Sequence, residues 1–195
     1  LGKLEDVVVR MAGMKKTAEY QLDKKGLIIM CADNGVVAEG VTQIGQEVTA
    51  IVADNFMHHA ASTNIMADIA GVDLIPVDIG MITDVSSITV QEKKVSYGTK
   101  NFAVEPAMNR EEVWKAIQIG IDTVRECKQK GYDILATGEM GIGNTTTSSA
   151  VTAILLQKSV EEVTGKEPVF HLRDCNERLL RLKRQLININ LIHKT

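Results

Sequence analysis

The sequence predicts an α/β fold in three layers, a mainly parallel sheet with helices on both faces. Three observations predict it. Short apolar runs alternate with longer segments of helical period three times along the chain. Each apolar run leads into a polar or glycine-rich loop, at residues 33–46, 78–84 and 137–144. The composition, 45% hydrophobic and 24% charged over 195 residues, suits one globular α/β core.

The elements follow in order. Residues 3–13 (KLEDVVVRMAG) set Leu4, Val7, Val8 and Met11 at helical spacing. Residues 27–32 (LIIMCA) read as a buried strand, and Asp33-Asn34-Gly35 after them as a turn. Residues 47–70 read as helix in two pieces, and residues 72–78 (VDLIPVD) as a second strand ending at Asp78 and Gly80. Residues 87–95 suggest a short strand or edge hairpin. Asn109 is an N-cap whose capping box closes with Glu112. The helix it opens carries Val113, Ile117, Ile121 and Val124 and stops near Gly131. Residues 133–136 (DILA) form the third strand, residues 138–143 a glycine-rich loop, and residues 145–157 a helix. There is no internal repeat and no low-complexity segment.

Several function classes are excluded. The apolar runs are too short to span a bilayer, and no secretory signal opens the chain. Cys31, Cys127 and Cys175 are few, odd in number and far apart, which speaks against a disulfide framework or zinc cluster and for the reducing cytoplasm. The net charge of −3 speaks against a nucleic-acid partner. His58 and His59 are adjacent on a helix, pointing about 100° apart, so they do not chelate one metal as an i, i+4 pair would. No metal and no cofactor is expected. The methionines suit core packing.

In open parallel sheets, ligands bind at the carboxyl ends of the strands. There the richest feature is ATGEMGIGNTTTSSA, residues 136–150. Gly138, Gly141 and Gly143 let the backbone turn tightly and approach a ligand. Asn144, Thr145 and Thr146 then open a helix, whose free N–H groups and dipole favour an anion such as phosphate. The other reading is a strand-to-helix turn with a polar cap. No lysine follows Gly143 as in a Walker A loop, and the spacing is not that of a dinucleotide fold. Glu139 beside a phosphate needs something else to meet. Ribose hydroxyls, or positive charge developing at a sugar carbon, would serve; otherwise it is a solvated acid. Asp33 orients a ligand or caps the next turn. Glu39 and residues 42–46 (TQIGQ) form a long loop, a candidate pocket wall.

The chain resembles the nicotinate-nucleotide:dimethylbenzimidazole phosphoribosyltransferase family of cobalamin lower-ligand synthesis. GEMGIGNTT (138–146) is similar to the family's signature loop, and MCADNGVVAEGV (30–41) to its strand and Asp-His-Gly loop. GTKNFAVEPAMNREE (98–112) and LGKLE (1–5) resemble further family segments, in order, over residues 1–166. Asn34 stands where the family commonly has His. The resemblance implies a Rossmann-like fold and transfer of ribosyl phosphate from nicotinate mononucleotide to 5,6-dimethylbenzimidazole. The products are nicotinate and α-ribazole phosphate. The pyridinium leaves neutral, so neither a metal nor a leaving-group acid is required. By the same resemblance Gly138, Met140, Gly141, Ile142, Gly143, Asn144, Thr145 and Thr146 hold phosphate and ribose, with Glu139 on the ribose side. Asp33, Asn34, Gly35, Ile44, Gly45 and Val52 line the base pocket. A homodimer is implied for the full-length parent. The family also has a KPxGS motif before the position of Leu1 and a proton-accepting glutamate far beyond residue 195. The expectation is therefore a fold truncated at both ends and a chain inactive alone, at most binding a nucleotide.

The likeness stops after Lys166. Residues 167–195 carry six Lys/Arg and three Asp/Glu, a charge of +3, against −6 for residues 1–166. If Lys166 is AAG and reading starts at its third base, permitted codons for residues 167–195 can spell GTGFPSEGLQRKIAAIEETIDQHKPDPQN. That string resembles the family's continuation: a Gly-x-Gly turn, an amphipathic helix and a Pro-rich linker. The expected division is thus a partial phosphoribosyltransferase domain, 1–166, and a frameshifted tail, 167–195. The alternative is a divergent basic helix.

Overall fold

The structure, a computed structural model, describes residues 2–88 and 93–164. The chain runs α1 (Lys3–Lys15), β1 (Lys25–Ala32), a 3-10 turn (Gly35–Glu39), α2 (Glu47–Met57), α3 (Ser62–Ala70) and β2 (Val72–Gly80). It continues with α4 (Arg110–Gln129), β3 (Ile134–Met140), α5 (Asn144–Leu156) and α6 (Val160–Val163). The three strands form one parallel sheet in the order β2-β1-β3.

The first strand is central because both its faces can be buried. Ile29 and Cys31 pack on Ala53 and Phe56 of α2, while Ile28 packs on Ile119 and Cys127 of α4. Pro76 lacks a ladder donor and sits in β2, which has a neighbour on one side only among the described residues. Because parallel crossovers are right-handed, stepping from β1 to β2 and then back across β1 to β3 reverses direction and puts the connecting helices on opposite faces. The three expected layers follow.

Local signals decide the element ends. Asn109 Oδ1 accepts from Glu112 N at 2.9 Å and Glu112 Oε2 accepts from Asn109 N at 2.7 Å, the expected capping box. Gly71 ends α3 in the left-handed region (φ 62°), where a side chain would be strained.

Two expectations need correction, and the packing of α4 adds a finding. The third strand is longer than residues 133–136: Gly138, Glu139 and Met140 belong to β3, paired with Ile29, Met30 and Cys31. Continued ladder bonding to β1 holds them extended, so the turn proper is residues 141–143. The apolar stripe Val113, Ile117, Ile121 and Val124 of α4 is 41–47% exposed, whereas Ile119, Thr123 and Cys127 are buried. No strand forms at residues 87–88 or 93–95, and residues 89–92 of that expected hairpin lie outside the described residues. Cys175 and the expected tail, 167–195, also lie outside them.

Candidate functional site

Strand order reverses at β1: the chain goes first to β2 on one side and then to β3 on the other. In doubly wound sheets the ligand crevice opens at the carboxyl ends of the strands at such a switch point. Here that point brings together Asp33-Asn34-Gly35 after β1 and Gly141-Ile142-Gly143 after β3.

The two loops are joined by side chains. Asn34 Nδ2 donates to the carbonyl of Ile142 at 3.3 Å, and Asn34 Oδ1 accepts from Thr147 Oγ1 at 2.9 Å. Gln46 Nε2 donates to the carbonyl of Asn34 at 3.0 Å. From α2, the hydroxyl of buried Thr49 accepts the Ile142 N–H at 3.1 Å. The loops approach so closely that a Cβ on Gly141 would lie 2.2 Å from the Ala32 carbonyl oxygen and 2.9 Å from Asn34 Nδ2. Gly143 has φ 87° and caps α5.

The backbone donors of the turn divide into two sets. Ile142 N–H goes to Thr49, Asn144 N–H to the Gly141 carbonyl at 3.1 Å, and Thr146 N–H to the Gly143 carbonyl at 3.1 Å. The N–H groups of Gly143 and Thr145 donate to no protein group among the described residues. They alternate with the satisfied ones at the N-terminus of a 13-residue helix, an environment suited to an anion. Glu139, the penultimate residue of β3, is exposed and accepts a hydrogen bond from the Asn144 side-chain amide. Partial withdrawal from water pushes its carboxyl above the ordinary carboxylate value, and the Asn144 contact opposes that.

The other expected residues divide. Gly138 sits within β3, and Met140 packs toward the cluster formed with α2. Thr146 is buried and Thr145 exposed. Asp33 is buried, and its Oδ2 accepts the Ile82 N–H at 2.8 Å, while Oδ1 has no hydrogen-bond partner. Gly35 N–H donates to Thr99 Oγ1 at 3.1 Å, and a Cβ on Gly35 would lie 2.4 Å from the Thr99 carbonyl oxygen. Ile44 is half exposed, the Glu47 side chain occupies the space above Gly45, and Val52 packs against the α2-side core. Of the 42–46 stretch, Gln46 reaches the joined loops. The sequence left Thr49 unmarked, and Thr99 and Thr147 lay in quoted segments without being singled out. The one local signal of Thr49 and Thr147 is a polar residue in the first turn of a helix. Among the described residues no group of three or more His, Cys, Asp or Glu could hold a metal.

The fold and the turn define the class first: a doubly wound α/β protein with an anion-suited helix start at its switch point. The comparisons carry this further. The model of a phosphoribosyltransferase family matches residues 1–188, and the chain belongs to that family. A nicotinate-nucleotide–dimethylbenzimidazole phosphoribosyltransferase of Clostridium tetani is 43% identical over 166 residues, 85% of this chain and 46% of that protein. The protein of the same name from Acetivibrio thermocellus is 45% identical over 166 residues, 85% of this chain and 47% of its own. The crystal structure of CobT from Thermus thermophilus superposes with a TM-score of 0.86 at 34% identity, covering 96% of this chain and 56% of that one. The chain thus spans about half the length of the curated relatives it matches.

Proposed function

We propose that this chain belongs to an enzyme that transfers the phosphoribosyl group of nicotinate mononucleotide to 5,6-dimethylbenzimidazole in cobalamin biosynthesis. The observation that carries the proposal is the 43–45% identity to proteins bearing that name. The unspent donors of Gly143 and Thr145 at the switch point support it. In the reaction a benzimidazole nitrogen attacks the anomeric carbon and forms the new C–N bond. The old bond breaks, its electron pair goes to the pyridinium nitrogen, and nicotinate leaves with a neutral ring. The benzimidazole's own proton is lost to a base.

In this reading the Gly143 and Thr145 N–H groups and the α5 dipole hold the phosphate. Glu139 faces the ribose, where a carboxylate stabilises positive charge developing at the anomeric carbon. The loop 33–46 borders the base. A homodimer is proposed for the whole protein, supported by the apolar faces left open on α1, α4 and α5. A cytoplasmic location is proposed on the buried, unpaired thiols of Cys31 and Cys127. No described helix is long and apolar enough to cross a membrane.

A second reading, nucleotide binding without turnover by this chain alone, is favoured by its covering only 46–47% of those two relatives. Release of nicotinate from nicotinate mononucleotide, with and without dimethylbenzimidazole, separates the two. Base-dependent release at the rate of an intact relative supports transfer by this chain. Binding in calorimetry without release supports the second reading, and neither binding nor release rejects both.

A further inference from the structure

Resting on the reading of residues 141–145 as an anion-binding turn, we propose that Thr49 and Asn34 are positioning residues. They fix Ile142 from both sides and so aim the N–H groups of Gly143 and Thr145 at the ligand. Ile142 lies between the two strand-end loops, and both its backbone polar groups are taken by side chains. Its N–H goes to Thr49 Oγ1 at 3.1 Å and its carbonyl accepts Asn34 Nδ2 at 3.3 Å. A residue held at both groups has little freedom to rotate its peptide planes. The direction of the next N–H, that of Gly143, follows from them.

The two clamping side chains are themselves constrained. Thr49 is fully buried on α2, and branching at Cβ limits its rotamers on a helix. Its hydroxyl faces the loop. The comparable buried Thr123 of α4 instead turns its hydroxyl back on its own helix, donating to the Ile119 carbonyl at 2.8 Å. Asn34 is pinned by Thr147 on its side-chain oxygen and by Gln46 on its carbonyl. Thr147 lies on α5, so Asn34 links the loop and the helix whose N-terminus carries the free donors. The absence of a side chain at Gly141, whose Cβ would lie 2.2 Å from the Ala32 carbonyl oxygen, leaves room for the two loops to meet. A clamp that merely stabilised the fold would not need to leave alternate donors, those of residues 143 and 145, outside the internal network.

The test uses the purified chain with two readouts. Amide hydrogen exchange reports order in residues 142–145, and calorimetry reports affinity for inorganic phosphate and nicotinate mononucleotide. Thr49→Val keeps the shape and removes the acceptor, while Thr49→Ser keeps the hydroxyl. The valine variant is expected to speed exchange at Ile142 and Asn144, the two hydrogen-bonded amides of the turn, with β1 unaffected. It should weaken both ligands about tenfold, with serine restoring both properties. Thr147→Val, which loosens Asn34 without touching Ile142, is expected to shift binding the same way by a smaller factor. An unaltered chain that binds, together with a Thr49→Val variant that binds equally well, overturns the clamp. So does weakened binding that serine fails to restore. An unaltered chain that binds neither ligand overturns the anion reading instead, and with it the purpose of the clamp.

Discussion

The Lys94 ammonium lies 2.9 Å from Asp78 Oδ2, and both side chains are more than nine-tenths buried. Lys94 also meets Asp84 Oδ1 at 2.5 Å, donates to the Met81 carbonyl at 3.0 Å and stands over the Tyr97 ring. The other Asp78 oxygen accepts the N–H groups of Gly80 and Met81, so the turn after β2 is built on this one ion pair. Removing the cation leaves a buried carboxylate with backbone donors alone. Lys94→Met should therefore cost about 3 kcal/mol, a value typical of breaking a buried pair from one side. Urea unfolding checks this. A loss of less than about 0.5 kcal/mol, the range of exposed pairs, would show that water reaches the cluster.

Alkaline conditions should weaken the fold. Burial, then the charge of Asp78, push the Cys31 thiol from 9.0 up to about 12. Burial, then the hydrogen bond to Asp73, push the Tyr132 phenol from 10.0 up to about 12. Burial works against the charge of Lys94, but hydrogen bonds to Asp84 and Asp78 outweigh it and raise the group. In each case the folded chain holds its proton more tightly than the unfolded one. The stabilisation is complete below the unfolded values and is lost as pH climbs through the folded ones. Urea midpoints should stay level to about pH 9 and then fall steadily toward pH 12. A midpoint unchanged at about pH 11 would contradict these assignments. In the neutral range Cys31 should resist a thiol-specific disulfide reagent until the chain is unfolded.

Gly141→Ala should be the most damaging single change in the turn. Its Cβ would sit 2.2 Å from a backbone carbonyl oxygen, which cannot move without displacing the end of β1. The expected loss is about 2–3 kcal/mol, in the range of overpacked sites. Gly143→Ala meets a side-chain methyl of Val37 at 2.8 Å and a left-handed backbone, and should cost about 1–2 kcal/mol. Thermal unfolding that ranked Gly143→Ala as the more damaging would show that the strand ends separate easily.

What the sequence disclosed depended on range. The Asn109–Glu112 capping box and the stop of α4 near Gly131 rest on local sequence, and both were legible. The strands were legible as apolar runs, but the end of β3 was not, because Gly138-Glu139 reads as a loop until β1 is beside it. The buried face of α4 was not legible for a related reason. The regular stripe Val113, Ile117, Ile121, Val124 is the more apolar one, yet the sheet takes Ile119, Thr123 and Cys127. At the site, the glycines and Glu139 stood out by composition. Thr49 did not, since its partner Ile142 is 93 residues away and a threonine early in a helix is ordinary.

The last prediction concerns the coding sequence beyond Lys166. We propose that residues 167–195 are read in a frame shifted from that of the domain before them. The curated relatives named above align over 166 residues, while the family model's match continues to residue 188, so amino-acid likeness alone does not fix the boundary. Charge and codon structure argue for it. A segment of +3 follows one of −6. In a frame moved by one base, the first two bases of each visible codon become the last two of each hidden one. Over 29 positions that leaves little freedom, yet the hidden frame can spell GTGFPSEGLQRKIAAIEETIDQHKPDPQN, with a Gly-x-Gly turn and helical spacing of its apolar residues. Sequencing the DNA across the Lys166 codon is the measurement. The expected result is that reading from the third base of that codon opens a frame encoding GTG at once and continuing well past the present end. An early stop codon in that frame, or a translation without that turn, would return residues 167–195 to the domain as a basic segment of its own.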